Sequence, residues 1–203
     1  MAPKGSAAHH RPVIRHCGLR LWVRRGAAGL LCWLAWNCAG TNYLLRVSPA
    51  GCETSGPGIA SGYIDRRGDT VIPVGKYWYC ESDTIREWGF VWLRPEQREN
   101  RYDLCIAIDR KDRKLFNAYW FDNGPDYPSE GLFRIRDDRG RIGYADTTGR
   151  IVIRPRFRAA YPFRGGQAEV ALRAWEQRDG EYTYWQSDRW FLIDRKGRKI
   201  GQE

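Results

Sequence analysis

An apolar run, an aspartate and a glycine three residues later recur along this chain and leave few folds open to it. The four occurrences are Gly62-Tyr63-Ile64-Asp65-Arg66-Arg67-Gly68, Ala107-Ile108-Asp109-Arg110-Lys111-Asp112, Gly143-Tyr144-Ala145-Asp146-Thr147-Thr148-Gly149 and Phe191-Leu192-Ile193-Asp194-Arg195-Lys196-Gly197, with Asp112 once in place of glycine. The aspartates lie 44, 37 and 48 residues apart. An aspartate that opens a turn accepts hydrogen bonds from the turn's N–H groups, and glycine supplies the left-handed residue that closes it. A second apolar run follows, as in Thr70-Val71-Ile72-Pro73 and Arg150-Ile151-Val152-Ile153. Val, Ile, Tyr and Phe on both sides favour strands. The pattern predicts an all-β fold of tandem antiparallel β-hairpin repeats. Such units bury little alone and are stabilised by stacking on neighbours. About four units in a curved array or a propeller-like arrangement are expected, on the precedent of roughly 40-residue blades. The irregular spacing favours the open array.

The charge of the chain is unevenly placed. Of 34 Lys and Arg residues, seven precede Val47, where no acidic residue occurs until Glu53. The remaining 27 face 24 Asp and Glu residues, so the body is nearly balanced and lacks the basic excess of a nucleic-acid binder. The uncharged stretch Gly26–Leu45 follows Arg24-Arg25. A positive flank before an apolar run is the pattern of a secretory signal, and about 20 residues would also span a bilayer as an anchor helix. Residues 1–46 are therefore read as signal peptide or membrane anchor, 47–61 as linker and 62–203 as the repeat domain. The protein is expected to be exported, periplasmic or membrane-anchored, with membrane contact only through its N-terminal segment. Pro49-Ala50-Gly51-Cys52 resembles a lipoprotein box and would place a lipid on Cys52. Ser48-Pro49-Ala50 also suits an ordinary cleavage site. Beyond the leader remain Cys52, Cys80 and Cys105. With Cys52 lipidated, Cys80 and Cys105 are left to pair as a disulfide in an oxidising compartment.

The stretch Glu130–Val170 resembles one nearly complete unit of the WG repeat family. That family repeats a Gly-Leu-Ala-x-Val strand, an Asn/Asp-Gly turn, a Trp-Gly-(Tyr/Phe)-Ile-Asp strand, a second turn at glycine, and Ile/Val-Ile-x-Pro-x-(Phe/Tyr). Gly62–Pro73 and Trp190–Ile200 resemble it in part. The signature Trp is matched to Ile142, Ser61 and Ile106 in three units, and Trp190 keeps it. Trp88-Gly89 is literal but out of register. The resemblance implies short antiparallel β units in bacterial, often exported, proteins and no shared catalytic residue.

All three histidines lie at positions 9, 10 and 16, so a body without the leader has none. That argues against Ser-His-Asp and Cys-His nucleophile systems and the usual zinc sites. No catalytic residue, metal ligand or cofactor site is assigned, and the chain is read as a non-enzyme. A pair of carboxylates could still hydrolyse a glycan, with Asp83, Glu87, Glu96, Asp103, Asp122, Asp126, Glu130 and Glu169 as candidates. The oxygen-rich loop Asp122–Glu130 reads first as a turn and only secondarily as a calcium site. Aromatic side chains in Tyr77-Trp78-Tyr79, Tyr119-Trp120-Phe121 and Tyr182–Trp185 cannot all face one core, because strand side chains alternate. Trp78, Trp120 and Trp185 are the candidate ligand contacts, placed in insertions between the repeated units. The expected function is a non-enzymatic binding or scaffolding module of the bacterial cell envelope with an unknown protein or glycan partner. A histidine-free glycan-active enzyme and a purely structural envelope protein are the alternatives.

Overall fold

The computed structural model of this chain describes residues 42–49, 58–180 and 182–201. Residues 1–41 of the expected signal or anchor segment, and Cys52, lie outside the described residues, while Leu44–Arg46 at its end belong to a strand. Among the described residues, apart from one short 3-10 turn at Pro95–Gln97, the regular structure is β. The first strands are β1 (Leu44–Val47), β2 (Ala60–Ile64), β3 (Thr70–Tyr79), β4 (Thr84–Ile85), β5 (Trp88–Trp92), β6 (Cys105–Asp109), β7 (Lys114–Ala118), β8 (Trp120–Phe121) and β9 (Gly124–Pro125). There follow β10 (Leu132–Arg136), β11 (Ile142–Asp146), β12 (Ile151–Phe157), β13 (Ala159–Ala160), β14 (Gln167–Ala171), β15 (Trp175–Asp179), β16 (Tyr182–Gln186), β17 (Phe191–Asp194) and β18 (Lys199–Ile200).

These strands group into four units of three: β1-β2-β3, β5-β6-β7, β10-β11-β12 and β14-β17-β18. In each unit the second and third strands flank the recurrent turn, and every pairing is antiparallel. The same turn also joins β10 to β11 at Asp137, a fifth copy. In all five, the aspartate Oδ1 accepts the N–H groups two and four residues on, at 2.8–3.1 Å. The fourth residue of each turn has positive φ, and Asp112 adopts it at 62° without glycine. Its carboxylate is held by Lys76 Nζ and by Tyr77 Oη at 2.8 Å, which fixes a conformation that glycine would otherwise supply.

Hydrogen bonding runs on from β3 to β5 and from β7 to β10. One ten-stranded sheet, ordered β12-β11-β10-β7-β6-β5-β3-β2-β1-β4, therefore carries three units as an array and not as separate blades. The fourth unit forms a second sheet, β13-β14-β17-β18. The sheet takes in Leu44–Val47 and Ala60–Ser61, ahead of the start expected at residue 62. Leu44 is buried with Tyr63, Ile72, Ile85 and Val91.

The apolar clusters lie between units. The first joins Tyr63 and Ile72 to Val91, Ile106 and Ile108 of the second unit. Another joins Ala107 and Phe116 to Phe133, Ile135 and Ala145 of the third. The largest joins Tyr144, Ile153, Phe157 and Phe163 to Ala168, Val170 and Ile193 of the fourth. Each unit is thus stabilised by burying a face against its neighbour, as the stacking argument requires.

The register corrects one alignment made from sequence. Counting back from the turn aspartate, the signature Trp position of the second unit is Cys105, not Ile106. Trp88-Gly89 opens the first strand of that unit, which accounts for its being out of register. Gly62 and Gly143 occupy the signature glycine position, where the facing third strand bulges toward them. A Cβ on Gly62 would lie 2.5 Å from Val74 N, and one on Gly143 would meet the Ile153 carbonyl and Pro155. Tyr63 and Tyr144 follow these glycines, and their hydroxyls donate to the Ser82 and Tyr161 carbonyls at 2.8 and 2.7 Å.

Candidate functional site

Trp78, Trp120 and Trp185 occupy three different settings, and only one belongs to an insertion within a unit. Trp78 lies within β3 itself, opposite Trp92 of β5, and is half-buried. Trp120 lies in the connector strand β8. Its ring sits 5.5 Å from that of Trp92 and packs on Cys80, Cys105 and Ala118. Trp185 belongs to the β15-β16 hairpin inserted between the first and second strands of the fourth unit. It packs against the large cluster around Tyr144, with Nε1 3.5 Å from Tyr119 Oη. In the first aromatic run Tyr77 is buried while Trp78 and Tyr79 are half-buried.

Cys80 and Cys105 are buried thiols whose sulfurs lie 2.9 Å apart. Burial pushes the Cys105 thiol well above its ordinary pKa, and the hydrogen bond with Cys80 adds to the effect. The Cys105 thiol is therefore held neutral at physiological pH.

Trp120 and Cys105 also line a cavity of about 260 Å³ together with Arg101, Tyr102, Ala118, Arg136 and Glu176. Sequence reasoning missed this constellation because its parts come from a loop and five strands, Cys105 from β6 and Ala118 from β7 among them. The 93–104 loop supplies Arg101 and Tyr102, β10 supplies Arg136, β8 supplies Trp120, and β15 supplies Glu176. Alternation along β10 puts Arg134 and Arg136 on one face, where guanidinium and aromatic groups interleave. Arg134 lies 5.1 Å from the Phe121 ring and 4.1 Å from Tyr119; Arg136 lies 4.7 Å from Tyr119 and 5.1 Å from Tyr102; Arg101 lies 5.0 Å from Tyr102. Cations against aromatic faces gain from the ring quadrupole.

The arginines of this ladder differ in their partners. Arg134 is buried and forks onto Asp126, with Nε and Nη2 donating at 2.9 and 2.6 Å and Nη1 donating to the Ala160 carbonyl. Burial alone would lower its pKa, but the Asp126 hydrogen bonds outweigh this and raise it, so the guanidinium stays charged. Arg136 is half-buried, and its guanidinium has no hydrogen-bond acceptor or ion pair among the described residues. The surrounding loop is pinned: buried Asp103 accepts from the Glu99 and Asn100 N–H groups, and Asn100 Oδ1 accepts from the Tyr102 N–H at 2.8 Å. The Tyr102 ring lies directly over Gly140, where any Cβ would collide with it.

The carboxylates considered from sequence are mostly engaged. Asp83 pairs with Arg46, Glu96 with Arg94 and Asp126 with Arg134. Glu130 accepts the Gly165 and Gly166 N–H groups at 2.6 and 2.9 Å, fastening one connector to the next. The oxygens of Asp126 and Glu130 are thus committed, and the 122–130 loop is a connector held by polar contacts. Among the described residues, no group of three or more His, Cys, Asp or Glu side chains could hold a metal ion.

A second concavity, of about 440 Å³, lies on the fourth unit and is lined by Tyr161, Pro162, Arg164, Gln167, Glu169 and Leu192. Tyr161 lies tilted against the signature Trp190, with ring centres 5.4 Å apart. Tyr161, Leu192 and, on the hairpin, Trp175 are exposed.

Residues 142–173 match the family described as WG containing repeat. This is a WG-repeat-containing chain. The matched segment runs from β11 through the third strand and its connector to just past the first strand of the fourth unit, so it spans a junction between units. No curated protein and no solved structure matches the chain.

Proposed function

We propose that this WG-repeat chain is a non-enzymatic binding or scaffolding module of the bacterial cell envelope. The reading rests on the division of labour between its repeated and its variable parts. The turn aspartates are occupied by their own backbone, which leaves them poor ligand groups. The fourth unit, by contrast, presents Tyr161, Trp175, Tyr184, Leu172 and Leu192 with at least 37% exposure each. Solvent-facing aromatic and aliphatic side chains beside Glu169, Gln167 and Arg164 suit either a sugar ring or a protein surface. Delivery to the envelope is supported by the acid-free, arginine-flanked leader.

The test is crosslinking of the full-length protein in intact cells, followed by fractionation. The expected result is recovery in the envelope fraction, with a specific crosslinked partner or glycan whose yield falls in a Trp175→Ala, Leu192→Ser variant of unchanged thermal midpoint. Full-length soluble protein in the cytosol would overturn the address. An undiminished yield in the variant would overturn the fourth-unit surface.

A further inference from the structure

We infer that the cavity beneath Trp120 is a binding site for a small oxyanion, a carboxylate or phosphate group, gripped by Arg136. This goes beyond the partner surface of the fourth unit and does not depend on it. A guanidinium carries five N–H donors in a rigid fork that matches the oxygens of both anions. On β10, Arg134 commits three of those donors to Asp126 and the Ala160 carbonyl. Arg136, two residues along the same face, lines the cavity and makes no hydrogen bond or ion pair among the described residues. Contacts with the faces of Tyr102 and Tyr119 favour its charge without using an N–H group.

The position is fixed from both sides before any ligand arrives. Tyr119 is shared with the buried Arg134–Asp126 pair, and Tyr102 is seated on Gly140 by a loop whose buried Asp103 accepts its backbone N–H groups. A preorganised donor set loses little freedom on binding. Arg101 adds a second positive charge at the rim, and Trp120 forms an aromatic wall. The volume of about 260 Å³ limits the ligand to a small molecule or the end of a longer one. Glu176, on the β15-β16 hairpin, also lines the cavity but makes no ion pair with either arginine among the described residues. A carboxylate there opposes an incoming anion, so it makes an opposite-sign control.

The experiment is calorimetric titration of the full chain with inorganic phosphate, acetate and benzoate, at fixed low ionic strength. Saturable one-site binding of at least one anion is expected. Arg136→Gln should weaken it at least about tenfold, the scale for losing hydrogen bonds to a charged group. Glu176→Gln should tighten it, and Arg139→Gln, on an exposed turn, should leave it unchanged. Binding of phosphate alone would assign the site to phosphate esters; tighter binding of benzoate than acetate would assign it to aromatic carboxylates. If Arg136→Gln fails to fold, the tightening by Glu176→Gln still decides. No saturable binding of any of the three anions, or binding indifferent to both substitutions, would overturn the site.

Discussion

Single residues set the turns and bulges of this molecule, and their costs can be ranked. Gly143 faces the bulged Ile153–Pro155 segment, whose backbone has no freedom to retreat from a new methyl. Gly68 has a φ of 89° but open space around it. Gly143→Ala should therefore destabilise by about 3 kcal/mol or more, combining overpacking with bulge loss, and Gly68→Ala by only about 1 kcal/mol of backbone strain. Urea unfolding at constant slope would check the order. The turn aspartates add a pH dependence. In Asp109 burial opposes the charge, yet the N–H and side-chain bonds of Arg113 prevail and lower its pKa; Asp146 is lowered chiefly by Thr148, and Asp194 chiefly by the Arg198 N–H. A carboxyl with a lowered folded-state pKa contributes stability above its unfolded value of about 3.9, and that contribution is lost as the pH falls through the folded value. The urea midpoint should fall more steeply below about pH 4 in the wild type than in an Asp109→Asn, Asp146→Asn, Asp194→Asn variant. Parallel curves would remove the turns from the acid response.

At the scale of elements, the two cysteines face each other where the end of the first unit meets the second strand of the next. Cys80 follows β3 and Cys105 opens β6, with β5 between them in the sheet. In an oxidising compartment these neighbouring thiols should lose two protons and two electrons to the local oxidant and form a disulfide. A crosslink closing a loop of this length adds about 2–4 kcal/mol. Mass spectrometry of non-reduced protein should find the pair, and the gap in thermal midpoint between oxidised and reduced protein should vanish in Cys80→Ala. Two free thiols after extraction without reductant would refute it. The hairpin turns and their strands were legible because Asp, Gly and flanking β-branched residues act locally. The first strand of the second unit was not, because Trp88–Trp92 carries no turn of its own and a twelve-residue loop separates it from β6. The Arg136 cavity was invisible for a similar reason: its walls come from residues 101 to 176, and the pairing of β7 with β10 is what sets Arg136 beside the Asn117–Ala118 end of β7.

Taken as a whole, the molecule is stabilised at the junctions between units, and this makes its response to truncation predictable. The third unit buries Tyr144, Ile153, Phe157 and Phe163 largely against Ala168, Val170 and Ile193 of the fourth. Removing residues 167–201 would expose that cluster and leave β13 without its partner β14. In a repeat array each unit's stability is the sum of its own and its neighbours' contributions, so the loss should spread to the adjoining unit and weaken with distance. Hydrogen exchange on the truncated protein should show protection lost first in β10-β11-β12 and best retained in β2-β3. The β15-β16 hairpin makes a contrasting case, since β15 is exposed along its length and, among the hairpin's described side chains, Trp185 is the one that packs on the core. Trp185→Ala should cost about 2–3 kcal/mol, at the low end for a partly buried aromatic, whereas Trp175→Ala should change stability by less than about 0.5 kcal/mol. If truncation instead abolishes protection uniformly, the four units form one indivisible core, and the junction-by-junction account of this fold is wrong.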